Sequence, residues 1–221
     1  MKKQSAWGKT MSITALILAS GRSPALGYAK ANLCINNQTI IEKVTSTARA
    51  SGCEALILAI GEENDPFQCS RRDIQGIVAT QRSCPVSISI TKPKKTQIES
   101  IHQAIKMVKP SGRVLLWPVD YPFADAKLVR SLIESFDPRA DQISIPKLGK
   151  HVGYPILLGT ESVKELLQYQ NAANIQTFLT NQTKKIREVP TVDPRLIMSV
   201  NLPEQAAVLG IKSPGQFHQY S

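Results

Sequence analysis

The sequence predicts an α/β protein, a three-layer sandwich with a mostly parallel central sheet. Three observations carry the prediction. Residues 13–20 (ITALILAS) are a short apolar run, uniform enough for a strand covered on both faces. A glycine-containing loop, a helix-period segment and a second apolar run, ALILAI at 55–60, follow it. Two buried strands joined through a helix pair in parallel. A third run, RVLLW at 113–117, ends in an aspartate held between prolines, at the strand tip where open α/β sheets present ligands.

The chain has 221 residues, a length that can bury a core without staples. Residues 11–221 read as a single domain, with 1–10 a loose leader and Met11 an alternative start. Lys2, Lys3 and Lys9 ahead of an apolar segment resemble a secretion signal. However, Ser12 and Thr14 interrupt that segment, and cleavage at its end would delete the first strand. No apolar run approaches the roughly 18 residues of a membrane span. The net charge of +10 favours polyanionic partners, nucleotide or nucleic acid. The charge is dispersed, and the clusters at Arg71-Arg72 and 92–95 carry no interleaved aromatics, so a nucleic-acid partner is not expected. The cysteines, 34, 53, 69 and 84, lie 15 to 19 residues apart without a C-x-x-C, and His102, His151 and His218 have no metal-ligand spacing. Buried free thiols in a reducing compartment, the cytoplasm, are the expectation.

The loop after the first strand carries the most chemistry. Gly21 and Gly27 permit turns that side chains would block, and Arg22 and Lys30 add positive charge, which together suggest phosphate binding. The spacing excludes a P-loop, because five residues separate the glycines and Lys30 falls three positions later. It also excludes G-x-G-x-x-G. Leu18, Ala19, Gly21, Ser23, Gly27 and Lys30 instead fall in register with L-A-A-G-x-S-x-R-M-G-x-x-K, the signature loop of nucleotidyltransferases. The sequence resembles the MobA-like NTP transferases, the family of the molybdenum-cofactor guanylyl- and cytidylyltransferases. The resemblance implies a nucleotide-diphospho-sugar transferase (GT-A/Rossmann-like) fold. It also implies nucleotide binding at Leu18, Ala19, Ser20, Gly21, Arg22, Ser23, Gly27 and Lys30. The family's loop arginine is Ala25 here, and Arg22 is near enough in sequence to reach the same phosphates.

Residues 31–38 read as an irregular connection. Residues 39–51 read as a helix with Ile40, Ile41, Val44 and Ala48 on one face, Thr39 as cap and Gly52 as terminator. Residues 61–84 are polar and show no assignable element. Residues 86–91 alternate like a strand, 92–95 form a basic turn, and 96–108 carry a helical stripe of Ile98, Ile101, Ala104, Ile105 and Val108. Ser100 matches a family serine that helps hold base or sugar; the alternative is a polar residue in a first helical turn.

After RVLLW, the segment Pro118-Val119-Asp120-Tyr121-Pro122 is similar to the family's strand-D-x-P, whose aspartate binds the nucleotide's magnesium. Alone it would be a turn signal. Residues 124–136 read as a helix closed by Asp137-Pro138, and 142–146 as a strand. Gly153-Tyr154-Pro155 is similar to a glycine-histidine-proline segment on the family's acceptor side, with tyrosine in place of histidine. His151 nearby reads as a solvated residue rather than a catalyst. Helices are expected at 161–168 and 175–180, and a strand at 186–189. Met198 to Gln205 is similar to the family's closing D-I-D-T-P-E-D segment. There Asn201 takes the position of a metal ligand and Ser199 replaces the first acidic residue, while Pro203 suits a helix start. A plain strand-to-helix turn is the alternative.

The resemblance therefore implies a magnesium-dependent nucleotidyltransferase that joins an NMP group from an NTP to a small phosphorylated acceptor and releases pyrophosphate. Lys30 and Asp120 would be its catalytic residues, Asp120 and Asn201 its metal ligands, and Gly153 and Tyr154 its acceptor side. Molybdopterin, sugar phosphates and polyol phosphates all remain open as acceptors. Because Ala25, Ser199 and Asn201 depart from the pattern, a non-catalytic nucleotide-binding or regulatory protein on the same scaffold is the rival. A glycosyltransferase has less support, since no D-x-D ends a strand.

Overall fold

Alternation along the apolar runs decides which side of the sheet each residue joins. In the computed structural model, residues 12–79, 84–92, 96–137, 140, 142–169 and 174–214 are described. The proposed leader, Met11, residues 93–95 of the basic turn and Pro138 lie outside them. The strands are β1 (Ile13–Leu18), β2 (Cys34–Ile35), β3 (Gln38–Thr39), β4 (Ala55–Ile60), β5 (Val86–Ile90), β6 (Arg113–Pro118), β7 (Ile143–Leu148), β8 (His151–Val152), β9 (Ile156–Leu158) and β10 (Ile186–Pro190). The helices are α1 (Ile40–Ala50), α2 (Gln75–Ala79), α3 (Gln97–Val108), α4 (Ala126–Glu134), α5 (Thr160–Gln168), α6 (Ile175–Thr180) and α7 (Pro203–Val208).

The main sheet runs β10-β7-β9-β6-β1-β4-β5, with β8 paired to β7. β1 lies between β4 and β6 and is parallel to both. β9 is antiparallel to β6 and β7, so β7 and its parallel neighbour β10 again point the same way as β1. Every residue of β1 is buried, as expected for a strand covered on both faces. Ile13, Ala15 and Ile17 join the core shared with α1 and α4, whereas Leu16 and Leu18 join the opposite core, shared with α3, α5 and α6. In β6, Leu115 and Trp117 face the first core, and Val114 and Leu116 the second. The predicted three-layer, mostly parallel sandwich is what forms.

Differences from the sequence reading are local. Residues 31–38 contain a short 3-10 turn and the tight antiparallel pair β2–β3, with Asn36 and Asn37 at positive φ supplying the reversal. Two-residue strands are too short to leave a periodic signal. The unassigned 61–84 stretch holds a 3-10 turn and α2. α4 begins at Ala126 rather than 124, because the Asp125 carboxylate accepts from the Leu128 N–H at 2.8 Å and caps it.

Capping boxes start α1 and α3. The Glu42 and Glu99 carboxylates accept from the backbone N–H groups of Thr39 and Thr96, whose hydroxyls accept from the N–H groups of those glutamates. Thr39→Ala and Thr96→Ala should each lower stability by about 1 kcal/mol, read as a lower urea midpoint at unchanged slope. Cys34, Cys53, Cys69 and Cys84 are all free and buried. Burial pushes the Cys53 thiol up to about 12, with smaller contributions from Cys84 and Glu54. These thiols should resist an aromatic disulfide reagent at pH 8 in the native protein and react together on denaturation.

Candidate functional site

Parallel pairing brings distant strand ends to one edge. Leu18 of β1 pairs with Ala59 of β4 and with Pro118 of β6. The ladder continues past the strands, as the Ala19 N–H donates to the Ala59 carbonyl at 2.7 Å and the Val119 N–H to the Leu18 carbonyl at 3.1 Å. The loops at 19–30, 61–70 and 119–123 therefore emerge side by side. The segment 198–201 joins them through the Val200 N–H, which donates to the Asp120 carbonyl at 3.0 Å.

Three of the sequence-predicted residues meet at this edge. Lys30 lies in a 3-10 turn, Lys30–Asn32, and is 8% exposed. Its Nζ donates to Asp120 Oδ2 at 3.0 Å and to Asn201 Oδ1 at 2.5 Å. A lysine that buried needs such partners. The amide of Asn201 also donates from Nδ2 to Ser199 Oγ at 2.8 Å, and Ser199 lies beside the Tyr121 phenol. Burial, then the adjacent Asp120 carboxylate, pushes the Tyr121 phenol above its ordinary value, and the Ser199 side chain opposes that rise.

The other loop residues divide between scaffold and open surface. Ser23 is buried, with its hydroxyl donating to the Tyr28 carbonyl at 2.5 Å and its N–H to the Phe67 carbonyl at 3.2 Å. It shapes the loop from within. Gly27 has φ +74 and needs to be glycine. Gly21 has nothing within 4 Å of where a Cβ would stand, so the loop is open there. The Ser20 carbonyl is held by the Gln68 amide. Arg22 Nε pairs with Asp65 Oδ2 at 2.6 Å, and the guanidinium lies 5.7 Å from the Phe67 ring centre. Arg22 is thus already engaged by an anion, rather than poised alone to replace the arginine missing at Ala25. Ser100 is buried in α3, where its hydroxyl donates to the Thr96 carbonyl at 3.0 Å. That bond fits the reading of a first-turn polar residue.

On the opposite side of Asp120, the Tyr121 and Tyr154 rings lie 4.5 Å apart. Tyr154 is buried and its hydroxyl accepts from Gln176 Nε2 at 2.9 Å. Burial above all pushes its phenol up. A Cβ at Gly153 would stand 2.7 Å from the Leu196 carbonyl oxygen, a distance no side chain tolerates. Leu196 belongs to the 3-10 turn Pro194–Ile197 that leads into Ser199 and Asn201, so Gly153 permits the approach that sets this segment. His151 is exposed on β8.

Asp65, Phe67, Gln68 and Tyr121 were not singled out by the sequence reading. The first three sit in the polar stretch without periodicity. Their available signal was Gly61, whose missing side chain makes room for Gln68: a Cβ there would fall 2.5 Å from the Gln68 Cβ.

A family model described as the MobA-like NTP transferase domain matches residues 15–186. The chain belongs to that family. A comparison with curated proteins finds no match. Among solved structures, the MobA-like chain is similar to a nucleotidyl transferase from Methanothermobacter thermautotrophicus, with TM-score 0.70, 16% identity, and coverage of 91% of this chain and 96% of that one. It is also similar to Rv0371c from Mycobacterium tuberculosis in complex with manganese, with TM-score 0.68, 20% identity and coverage of 90% and 97%. A third is 4-diphosphocytidyl-2C-methyl-D-erythritol synthase from Anaerococcus prevotii, with TM-score 0.62, 15% identity and coverage of 90% and 96%. At these identities the likeness is one of fold. Among the described residues no helix is long and apolar enough to cross a membrane, and no cluster of three or more His, Cys, Asp or Glu forms a metal site.

Gly153→Ala should destabilise the fold by about 1–3 kcal/mol, because backbone must shift to admit the methyl group. Gly21→Ala, with open space and an ordinary φ, should stay within about 0.5 kcal/mol of the parent. Urea unfolding of both variants checks the contrast.

Proposed function

We propose that this chain transfers a nucleotidyl group from a nucleoside triphosphate to a small phosphorylated acceptor. The observation that carries the reading is the Lys30 ammonium held between the Asp120 carboxylate and the Asn201 amide oxygen, beside a loop open at Gly21. Two hard oxygen donors here converge on one cation. That donor set fits magnesium, which takes one or two protein oxygens and completes its shell with phosphate and water. The manganese complex of the fold neighbour Rv0371c also supports a divalent ion. When bound, the ion would neutralise charge on the phosphate oxygens.

The residues of the chain do the rest. Backbone N–H groups of residues 20–22, with Lys30, would hold the triphosphate. Arg22 would exchange Asp65 for a phosphate. An acceptor phosphate oxygen, placed on the Gly153-Tyr154 side, attacks the α-phosphorus in line. The new O–P bond forms as the bond to the β-phosphate oxygen breaks, and pyrophosphate leaves with that electron pair. Positioning and charge neutralisation lower the barrier without a side-chain base. That agrees with an exposed His151 and four buried thiols. The MobA-like resemblance favours molybdopterin as acceptor, hence a step in molybdenum-cofactor synthesis. The named product of the Anaerococcus neighbour supports a cytidylyl donor as one choice of base. Buried free cysteines favour the cytoplasm.

A second reading, a nucleotide-binding protein without turnover, is favoured by the charges already cancelled at the site. Arg22 is paired with Asp65, Ala25 carries no charge, and Asn201 is a neutral ligand. Losing one charge-assisted contact costs about 1.5–3 kcal/mol.

Pyrophosphate release, measured with magnesium across the nucleoside triphosphates and a panel of phosphorylated acceptors that includes molybdopterin, separates the two. Release that needs one nucleotide, one acceptor and Asp120, and that falls roughly a hundredfold in Lys30→Ala, supports transfer. Because Lys30→Ala also strips Asp120 of its ion-pair partner, its melting temperature should fall too, and turnover is compared at a temperature where the variant is folded. Calorimetric nucleotide binding without release under any pairing would favour the second reading. Absence of nucleotide binding would leave only the fold.

A further inference from the structure

We propose that Ser199 is a positioning residue that selects which face of the Asn201 amide is turned to the cation position beside Asp120. The inference rests on the metal reading above and concerns a problem special to this chain. A carboxylate offers equivalent oxygens, so either rotation presents an acceptor. An amide offers an oxygen on one side and an NH2 donor on the other. Turned the wrong way, Asn201 would aim hydrogens at a cation.

The surrounding groups fix the rotation. Lysine has only donors, so the amide atom facing Lys30 Nζ at 2.5 Å is the oxygen. The amide nitrogen then needs an acceptor, and Ser199 Oγ supplies it at 2.8 Å. Ser199 lies beside the Tyr121 phenol, and Tyr121 packs on the Tyr154 ring. The Asn201 backbone is fixed independently. Gln205 Oε1 accepts from the N–H groups of Asn201 and Leu202 at 2.7 and 3.0 Å, so loss of the Ser199 hydroxyl leaves the amide oriented by Lys30 alone without freeing the loop. Ser199 and Asn201 thus act as a pair that presents one neutral oxygen.

The test is a four-variant cycle on the full chain: the parent, Ser199→Ala, Asn201→Asp and the double variant. Each is titrated with Mn2+ alone, and the free ion is read by electron paramagnetic resonance. Ser199→Ala should weaken Mn2+ binding about tenfold in the Asn201 background, as removal of an outer partner of a metal ligand does. In the Asn201→Asp background the same change should alter affinity less than about twofold, since a carboxylate has no wrong face. Ser199→Thr, which keeps the hydroxyl, should restore the parent value. Equal weakening in both backgrounds, or no weakening where the parent binds Mn2+, overturns the positioning role alone. If neither the parent nor Asn201→Asp binds Mn2+ any better than Asp120→Ala, the metal reading falls and takes this inference with it. Circular dichroism on each variant establishes that the readout comes from folded protein.

Discussion

One buried ammonium holds the ligand edge together. Lys30 reaches Asp120, 90 residues later in the chain, and Asn201, 171 residues later. An ammonium at 8% exposure is costly to bury without partners, and here they come from the tip of β6 and the segment before α7. What places them is the parallel sheet. β1 and β6 end in register at Leu18 and Pro118, and the Val200 N–H seats the third segment on the Asp120 carbonyl. The tertiary fold and the charge pairing therefore impose the same arrangement from two directions.

That arrangement has a mechanical counterpart on its other flank. The rings of Tyr121 and Tyr154 pack at a tilt beside Asp120, while Gly153 lets the chain close to within contact of Leu196. One flank of Asp120 is thus fixed by packing and the other by charge. The proposed transfer needs this, because misplacement of a reacting group by about 1 Å can cost a hundredfold in rate.

Much of this was legible in the sequence, for identifiable reasons. β1, β4 and β6 are apolar but for Thr14 and Arg113, and a buried strand cannot hide such a signal. The Thr39 cap and the α1 stripe are local patterns of the same kind. Asp120 could be singled out at a strand tip between prolines, and Lys30 and Asn201 through the resemblance of the first loop and of 198–205 to the family's segments. What failed to show was whatever depends on non-local pairing without periodicity. Arg22 was legible as a basic loop residue, but its partner Asp65 lies 43 positions away in a stretch with no repeat. Ser23 and Ser100 look like ligand-binding hydroxyls on paper, and only the fold reveals that each is hydrogen-bonded to backbone. The β2–β3 pair is too short for any alternation to be counted.

β9 gives this edge an unusual freedom. The βα loops at 19–30 and 119–123 leave a strand and run on toward a helix, so any change of length in them must still deliver that helix to its packing face. The Tyr154 loop instead enters a strand, lying between β8 and the start of the antiparallel β9. Strands anchor it at both ends, and no helix hangs from it. Its length can therefore change without displacing a helix, whereas Gly153 and the buried Tyr154 within it are held to their identities by packing.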